Sequence, residues 1–145
     1  MKWVKDLETI YLCSHDNENK NRLITELLAK ANGVRDIYGM LSCSANRNTN
    51  VLKGIVLVLR SGNEKLAKIF SKESCMLESV CQRIAGILIL SEDERQRTEL
   101  ARILLSLAWL NLRPANWSAV ILLIVERCSL PDDDFFHGMR SKYHV

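Results

Sequence analysis

Two sets of apolar residues recur along this chain at fixed offsets, and this internal repeat constrains the fold more than any other feature. Five positions between 23 and 41 recur 43 residues later, and four between 52 and 59 recur 48 residues later. The spacing within each set is mostly that of one face of an α-helix. The first set pairs Leu23, Leu27, Val34, Ile37 and Leu41 with Leu66, Phe70, Leu77, Val80 and Ile84, and the second pairs Leu52, Ile55, Val56 and Leu59 with Leu100, Ile103, Leu104 and Leu107.

A repeat of about forty residues with helical internal spacing is typical of helical solenoids. One such unit cannot bury its own apolar face, so neighbouring units stack and share a core. The sequence therefore predicts one all-α domain, a right-handed helical solenoid of about two repeats. Its expected parts are a partial leading repeat at 1–13, repeats at 17–60 and 62–112, and C-terminal capping helices at 115–140.

Composition narrows the classes of function. The 145 residues are 48% apolar and 26% charged, and the net charge is +3, which is ordinary for a soluble globular protein. This charge is too small to predict a nucleic-acid-binding protein, and the basic residues are interspersed with acidic ones. Nucleic-acid binding stays a weak alternative, through scattered Arg47, Lys53, Arg60, Lys65 and Lys68.

The sequence also argues against a membrane protein and a secreted one. No apolar run approaches the ~18 residues of a membrane span, and the N-terminus lacks the apolar core of a signal peptide. The five cysteines are an odd number and form no CxxC motif, which predicts reduced, buried thiols rather than disulfides. We therefore expect an intracellular protein, in the cytoplasm or the nucleus, with no membrane partner.

Turn and cap signals divide the chain into helices. Predicted helices end near Cys13 and at Asn32-Gly33, and others cover 34–43, 64–71, 77–90 and 117–128. Ser91 and Glu94 form a predicted capping box that opens a long helix at 92–111. The apolar run 51–59 is short and rich in β-branched residues, so periodicity alone leaves a strand open, and the repeat context favours a helix. One further helical turn is expected at 134–139.

The two units resemble armadillo repeats, which are three-helix modules of about forty residues. Residues 20–26 are similar to the first helix of that family, 31–42 to its glycine-containing turn and second helix, and 95–108 to its third helix. The resemblance covers about 17–112. It implies a non-enzymatic scaffold or adaptor domain that binds other proteins and uses no cofactor.

The chain departs from the family on the third helices. Gly54 and Arg102 replace the tryptophan of the family, and Val58 and Ser106 replace the asparagine that holds an extended peptide in some members. Met76 stands where the first unit has Gly33. The resemblance therefore argues against peptide binding of the nuclear-import type, and a HEAT-like stack remains an alternative.

In such a stack the third helices line one wall, and the stripes beside their core faces are the predicted partner site. These stripes are more apolar than a solvated wall needs, so they predict a groove for a peptide or an amphipathic helix of another protein, oriented by the basic residues. Alternatively, the same side chains pack beneath flanking helices. The predicted groove consists of Lys53, Gly54, Leu57, Val58, Thr98, Arg102, Leu105, Ser106 and Trp109.

The segment 117–128 is apolar all round, and such a helix must be covered on every side. Either the following tail with Phe135 and Phe136 folds over it, or a second subunit does. The second case makes the chain a structural module that forms a homodimer. The candidate contacts for self-association are Trp117, Val120, Ile121 and Ile124.

The sequence offers no catalytic or metal-binding constellation, so we expect no enzyme activity and no metal or other cofactor. His15, His137 and His144 lie in polar or terminal segments. Cys75 and Cys81 are six residues apart with no histidine beside them, which does not fit a zinc site. The aspartates at 132–134 lack the glycine and distal glutamate of a calcium loop.

Overall fold

The structure is a computed structural model that describes residues 1–30 and 32–128. These residues form eight α-helices and one turn of 3-10 helix, without a strand, which confirms the predicted all-α class. The turn predicted at 134–139 and the tail phenylalanines lie outside the described residues. The helices are α1 Lys2–Cys13, α2 Asn17–Lys30, α3 Val34–Leu41, α4 Thr49–Arg60, α5 Glu64–Ser71, α6 Ser74–Leu90, α7 Glu94–Trp109 and α8 Trp117–Arg127, and the 3-10 turn is Ser44–Asn46.

Side-chain caps set the start of several helices. Asn48 Oδ1 accepts a hydrogen bond from the Val51 amide at 3.0 Å, which opens α4 two residues before the predicted start. This confirms a helix, not a strand, for the β-branched run. Gly33, with a φ of +54°, lies between α2 and α3, as the predicted turn requires.

The predicted capping box is wrong in detail. Asp93 is the N-cap of α7, and its Oδ1 accepts a hydrogen bond from the Gln96 amide at 3.2 Å. Ser91 instead follows the last residue of α6 and donates a hydrogen bond from Oγ to Gln96 Oε1 at 3.1 Å. The aspartate two residues closer to the helix is a favoured N-cap residue, and it satisfies the Gln96 amide, whereas the predicted box would have satisfied the Glu94 amide.

The helices enclose one hydrophobic core. Helix α1 lies against α2 and α4, α2 against α4 and α5, α3 against α6, α4 against α7, and α6 against both α7 and α8. All eight residues of the second repeated set are buried in this core, as are the members of the first set on α3, α5 and α6. No helix in the described part of the chain is long and apolar enough to cross a membrane.

On α2 the fully buried residues lie one position after the repeated residues Leu23 and Leu27. Ile24 and Leu28 are fully buried, whereas Leu23 and Leu27 are half-buried. Adjacent apolar pairs such as Leu23-Ile24 and Leu27-Leu28 fit either face of a helix, so spacing alone does not determine which member of each pair points inward. The offset between α2 and α5 is therefore 42 residues for the buried positions Ile24 and Leu66.

Candidate functional site

The structure buries the central part of the predicted groove. Val58 and Ser106 have no exposed surface, Leu105 is 1% exposed, and Gly54 is also buried. Because α4 lies against both α1 and α7, the stripe beside each core face is also covered by a neighbouring helix. These four residues therefore have no surface to offer a partner, which matches the alternative that they pack beneath flanking helices.

Gly54 has a packing role in this arrangement. A Cβ at this position would lie 2.6 Å from Leu7 Cδ2 and 3.3 Å from Ile24 Cδ1. Leu7 and Ile24 are both fully buried, so a Cβ at position 54 would require a packed core side chain to shift. The glycine at this position thus lets α1 and α2 approach α4 closely.

The other residues of the predicted groove keep some exposed surface. Trp109 is 42% exposed and Lys53 is exposed, whereas Leu57, Thr98 and Arg102 are half-buried. Arg102 is held inside the chain, since its Nη1 donates a hydrogen bond to Glu99 Oε1 at 2.9 Å. This guanidinium is therefore already bound to a carboxylate and is poorly placed to orient an acidic partner.

Glu99 is a buried carboxylate that the sequence interpretation did not identify. Its residue surface is 4% exposed, and its Oε2 is buried with no hydrogen-bond donor in the described part of the chain. Burial raises the pKa of Glu99, and the nearby charges of Arg102, Lys53 and Arg60 lower it in part. The i, i+3 spacing of Glu99 and Arg102 on a helix was the available signal for this pair.

A cleft on another side of the molecule has the clearest binding geometry. It has a volume of about 550 Å³ and lies between α3, the residue after the 3-10 turn, α6 and the start of α7. We call it the α3–α6 cleft. Two arginines, Arg47 and Arg83, line it together with Tyr38, and no aspartate or glutamate among the described residues contributes to its lining.

Arg83 is oriented by an aromatic side chain of the neighbouring helix. Its Nη2 donates a hydrogen bond to the Tyr38 hydroxyl oxygen at 3.1 Å, and its Cζ lies 5.3 Å from the centroid of the Tyr38 ring. A cation over an aromatic ring at this distance is weakly attracted to the ring face. The exposed arginine on α6 is thereby directed across the cleft toward α3.

Arg47 is held by two hydrogen bonds, one to a backbone carbonyl and one from a glutamine side chain. Its Nη1 donates a hydrogen bond to the Leu41 carbonyl oxygen at 2.9 Å, and its own carbonyl accepts one from Gln96 Nε2 at 3.2 Å. Its Nε is buried and has no acceptor in the described residues. Within residues 1–30 and 32–128, neither Arg47 nor Arg83 pairs with a carboxylate.

Apolar and open surface completes the cleft. Leu90, at the end of α6, is 80% exposed, which is the largest exposure among the large apolar side chains of the described residues. A Cβ on Gly86 would have no neighbouring atom within 4 Å, so the backbone of α6 is open to the cleft there. The cleft thus combines two cationic side chains with an exposed aliphatic one.

Helix α8 is covered on one face. Val120 and Ile124 are buried where α8 lies against α6, so these two candidate contacts for self-association are core residues. Trp117 and Ile121 are half-buried. The exposed apolar residues of α8 are instead Leu122, at 59%, and Val125, at 54%.

The end of α8 is fixed by hydrogen bonds to backbone carbonyl groups. Arg127 donates from Nε to the Leu88 carbonyl at 3.1 Å and from Nη2 to those of Ile89 and Ser91, both at 3.3 Å. Leu88 and Ile89 belong to the last turn of α6, where carbonyl groups lack helical partners. A cation near this helix end is favourable for the helix dipole as well.

All five cysteines lie in the described residues and carry free thiols. The expectation of buried thiols is wrong for three of them, because Cys13, Cys43 and Cys75 are exposed. Cys81 is buried, and burial raises the pKa of its thiol to about 12, with a smaller contribution from Glu78. In residues 1–30 and 32–128, no group of three or more histidine, cysteine, aspartate or glutamate side chains is placed to hold a metal ion.

Comparison of the chain with protein-family models, with curated proteins and with solved structures finds no match.

Proposed function

We propose that this chain is a non-enzymatic helical domain that binds a segment of a partner protein in the α3–α6 cleft. The observation that supports this proposal is a cleft of about 550 Å³ that exposes two arginines beside an aliphatic side chain, and neither arginine has a carboxylate partner among the residues that the structure describes. The predicted groove is a poorer candidate, because Gly54, Val58, Leu105 and Ser106 are buried.

An armadillo-like arrangement of two units is part of the proposal. Its first unit comprises α2, α3 and α4, and its second comprises α5, α6 and α7. Contacts between the corresponding helices of the two units support this division, since α2 lies against α5, α3 against α6 and α4 against α7. Helix α1 lies against α4 and so occupies the position of a preceding third helix, and α8 lies against α6 at the other end.

The shape of the cleft favours an extended segment over a small enclosed ligand. Small-molecule sites bury most of the surface of their ligand and are lined mainly by apolar groups. In this cleft Leu90 is 80% exposed, and Arg83 and Gln82 are exposed too. A segment that passes across an open cleft leaves one side in solvent, which fits such a lining.

A homodimer through the outer face of α8 is the second candidate, on the observation that Leu122 and Val125 are exposed one turn apart. Sedimentation of the chain across a range of concentrations, with Leu122→Glu/Val125→Glu as the comparison, tests it. A concentration-dependent dimer that the double variant abolishes supports this candidate. A monomer at every concentration excludes it.

The experiment for the cleft uses Gly86, where added volume meets no neighbouring atom. A Gly86→Trp variant fills the cleft, and Gly86→Ala at the same position is the matched control. A displayed library of random peptides of about ten residues, which extend over ~33 Å, is selected on the wild-type chain. The proposal expects enriched peptides that bind the alanine variant and lose at least about tenfold in affinity for the tryptophan variant.

Circular dichroism of both variants shows whether each keeps its helical content. If no peptide is enriched, or if the enriched peptides bind the tryptophan variant as well as the wild type, the cleft is not the binding site and the proposal fails.

A further inference from the structure

The α3–α6 cleft has a charge pattern that specifies its occupant. Arg47 and Arg83 come from different helical units and face the same cleft, whereas residues 1–30 and 32–128 contribute no carboxylate to its lining. A guanidinium presents several donors in a planar fork that matches a carboxylate. Arg83 uses one nitrogen on Tyr38 and Arg47 uses one on Leu41, so each retains further N–H groups.

The buried Nε of Arg47 adds a second argument. A buried donor without an acceptor costs free energy in the unbound state. This atom has no acceptor in the described residues, although the residue itself is held by two hydrogen bonds. Its Nη1 donates one of them, and its backbone carbonyl accepts the other. An anionic group that enters the cleft and contacts this guanidinium compensates a positive charge that has no carboxylate partner within the described ranges.

From these contacts we infer that the partner segment is acidic and amphipathic, with aspartate or glutamate side chains for Arg47 and Arg83 and an aliphatic side chain for Leu90. This inference rests on the proposed function. The exposed Leu90 selects a protein segment over free phosphate or a nucleic-acid backbone, because neither of these offers an aliphatic side chain. A pairing of opposite charges across the contact also favours specificity and fast association.

The test uses three displayed libraries of peptides of about ten residues with the same aliphatic positions. The remaining positions are aspartate or glutamate in the first library, asparagine or glutamine in the second, and lysine or arginine in the third. Selection on the wild-type chain is expected to enrich the acidic library alone. A synthetic peptide from that library should lose at least about tenfold in affinity for Arg83→Gln and for Gly86→Trp, and it should bind less tightly at high salt.

A matched control is Lys53→Gln, which removes an exposed cation of the predicted groove and leaves the cleft unchanged. Equal enrichment of the amide library, blocked by Gly86→Trp, overturns the acidic partner and leaves the proposed function standing. Absence of enrichment in all three libraries overturns both. A further outcome is an acidic peptide that binds the Arg83→Gln and Gly86→Trp variants as tightly as the wild type and loses affinity for the Lys53→Gln variant. That result places binding in the predicted groove and overturns both the acidic-partner inference and the proposed function.

Discussion

Arg83 Nη2 donates a hydrogen bond to the hydroxyl oxygen of Tyr38 at 3.1 Å, across 45 residues of sequence. The contact joins α6 to α3 at the mouth of the α3–α6 cleft. It directs the Arg83 guanidinium, which has no carboxylate partner in the described part of the chain, into the cleft that we propose as the binding site. An interaction that is local in space and distant in sequence therefore sets the geometry of the proposed site.

The first prediction concerns this contact. Tyr38→Phe removes the acceptor and keeps the ring, so we expect a loss of less than about 1 kcal/mol in the free energy of unfolding. The affinity for an acidic peptide should fall roughly two- to fivefold, because Arg83 is less well oriented. Fluorescence anisotropy measures the affinity, and Tyr11→Phe on α1, outside the cleft lining, is the control. Equal losses of peptide affinity in the Tyr38→Phe and Tyr11→Phe variants would show that the Tyr38 contact has no role in binding.

The second prediction contrasts two helical glycines. Gly86→Ala should stabilise the chain by about 0.5–1 kcal/mol, because alanine is the better helix former and its Cβ meets no atom within 4 Å. Gly54→Ala should destabilise it by about 1–3 kcal/mol, because its Cβ would lie 2.6 Å from Leu7 Cδ2.

Urea unfolding of both variants and of the wild type measures the two changes. Stabilisation by both substitutions would contradict the close approach of α1 to α4, and destabilisation by both would contradict the open space beside Gly86.

The third prediction concerns Glu99 and pH. Burial raises the pKa of this carboxyl in the folded chain above its ordinary value of 4.5, so the folded state holds the proton more tightly than the unfolded state. The contribution of Glu99 to stability is therefore largest at low pH and declines as pH rises from 4.5 through the raised folded pKa.

Glu99→Gln removes this titration, so the wild type should lose stability relative to the variant as the pH rises above 4.5. Urea unfolding at several pH values measures the difference, and Glu92→Gln, at an exposed position, is the control. A difference that grows in favour of the wild type with rising pH would show that the ion pair with Arg102 outweighs the cost of burial.

The fourth prediction separates core from surface in the predicted groove. Leu105→Ala should cost about 2–5 kcal/mol of unfolding free energy, because Leu105 is 1% exposed and its removal leaves a cavity. Trp109→Ala should cost much less, because Trp109 is 42% exposed. Thermal unfolding monitored by circular dichroism compares them. A small loss of stability in the Leu105→Ala variant would contradict the burial of Leu105 in the core.

The sequence predicts the helices well, because their determinants are local. The bounds of α5 agree with the prediction at both ends, and Gly33 lies at the predicted turn between α2 and α3. Errors arise where two local signals compete, as for Asp93 against Ser91 at the start of α7.

The candidate site is much less predictable, because it depends on contacts between units. Spacing shows that Leu105 and Val58 lie beside a core face, but not that neighbouring helices cover them. Tyr38 and Arg83 show no motif in the sequence, and their contact follows from the packing of α3 against α6. The apolar run in α8 likewise does not reveal which of its faces lies against α6.

The most direct test of the acidic-partner account is a two-dimensional NMR titration of the chain with an acidic amphipathic peptide from the selection. The account predicts that backbone amide signals of Gln82, Gly86 and Gln96 shift with peptide concentration, while those of Lys53 and Trp109 remain in place. Shifts confined to Lys53, Leu57 and Trp109, with the cleft signals unchanged, would contradict it.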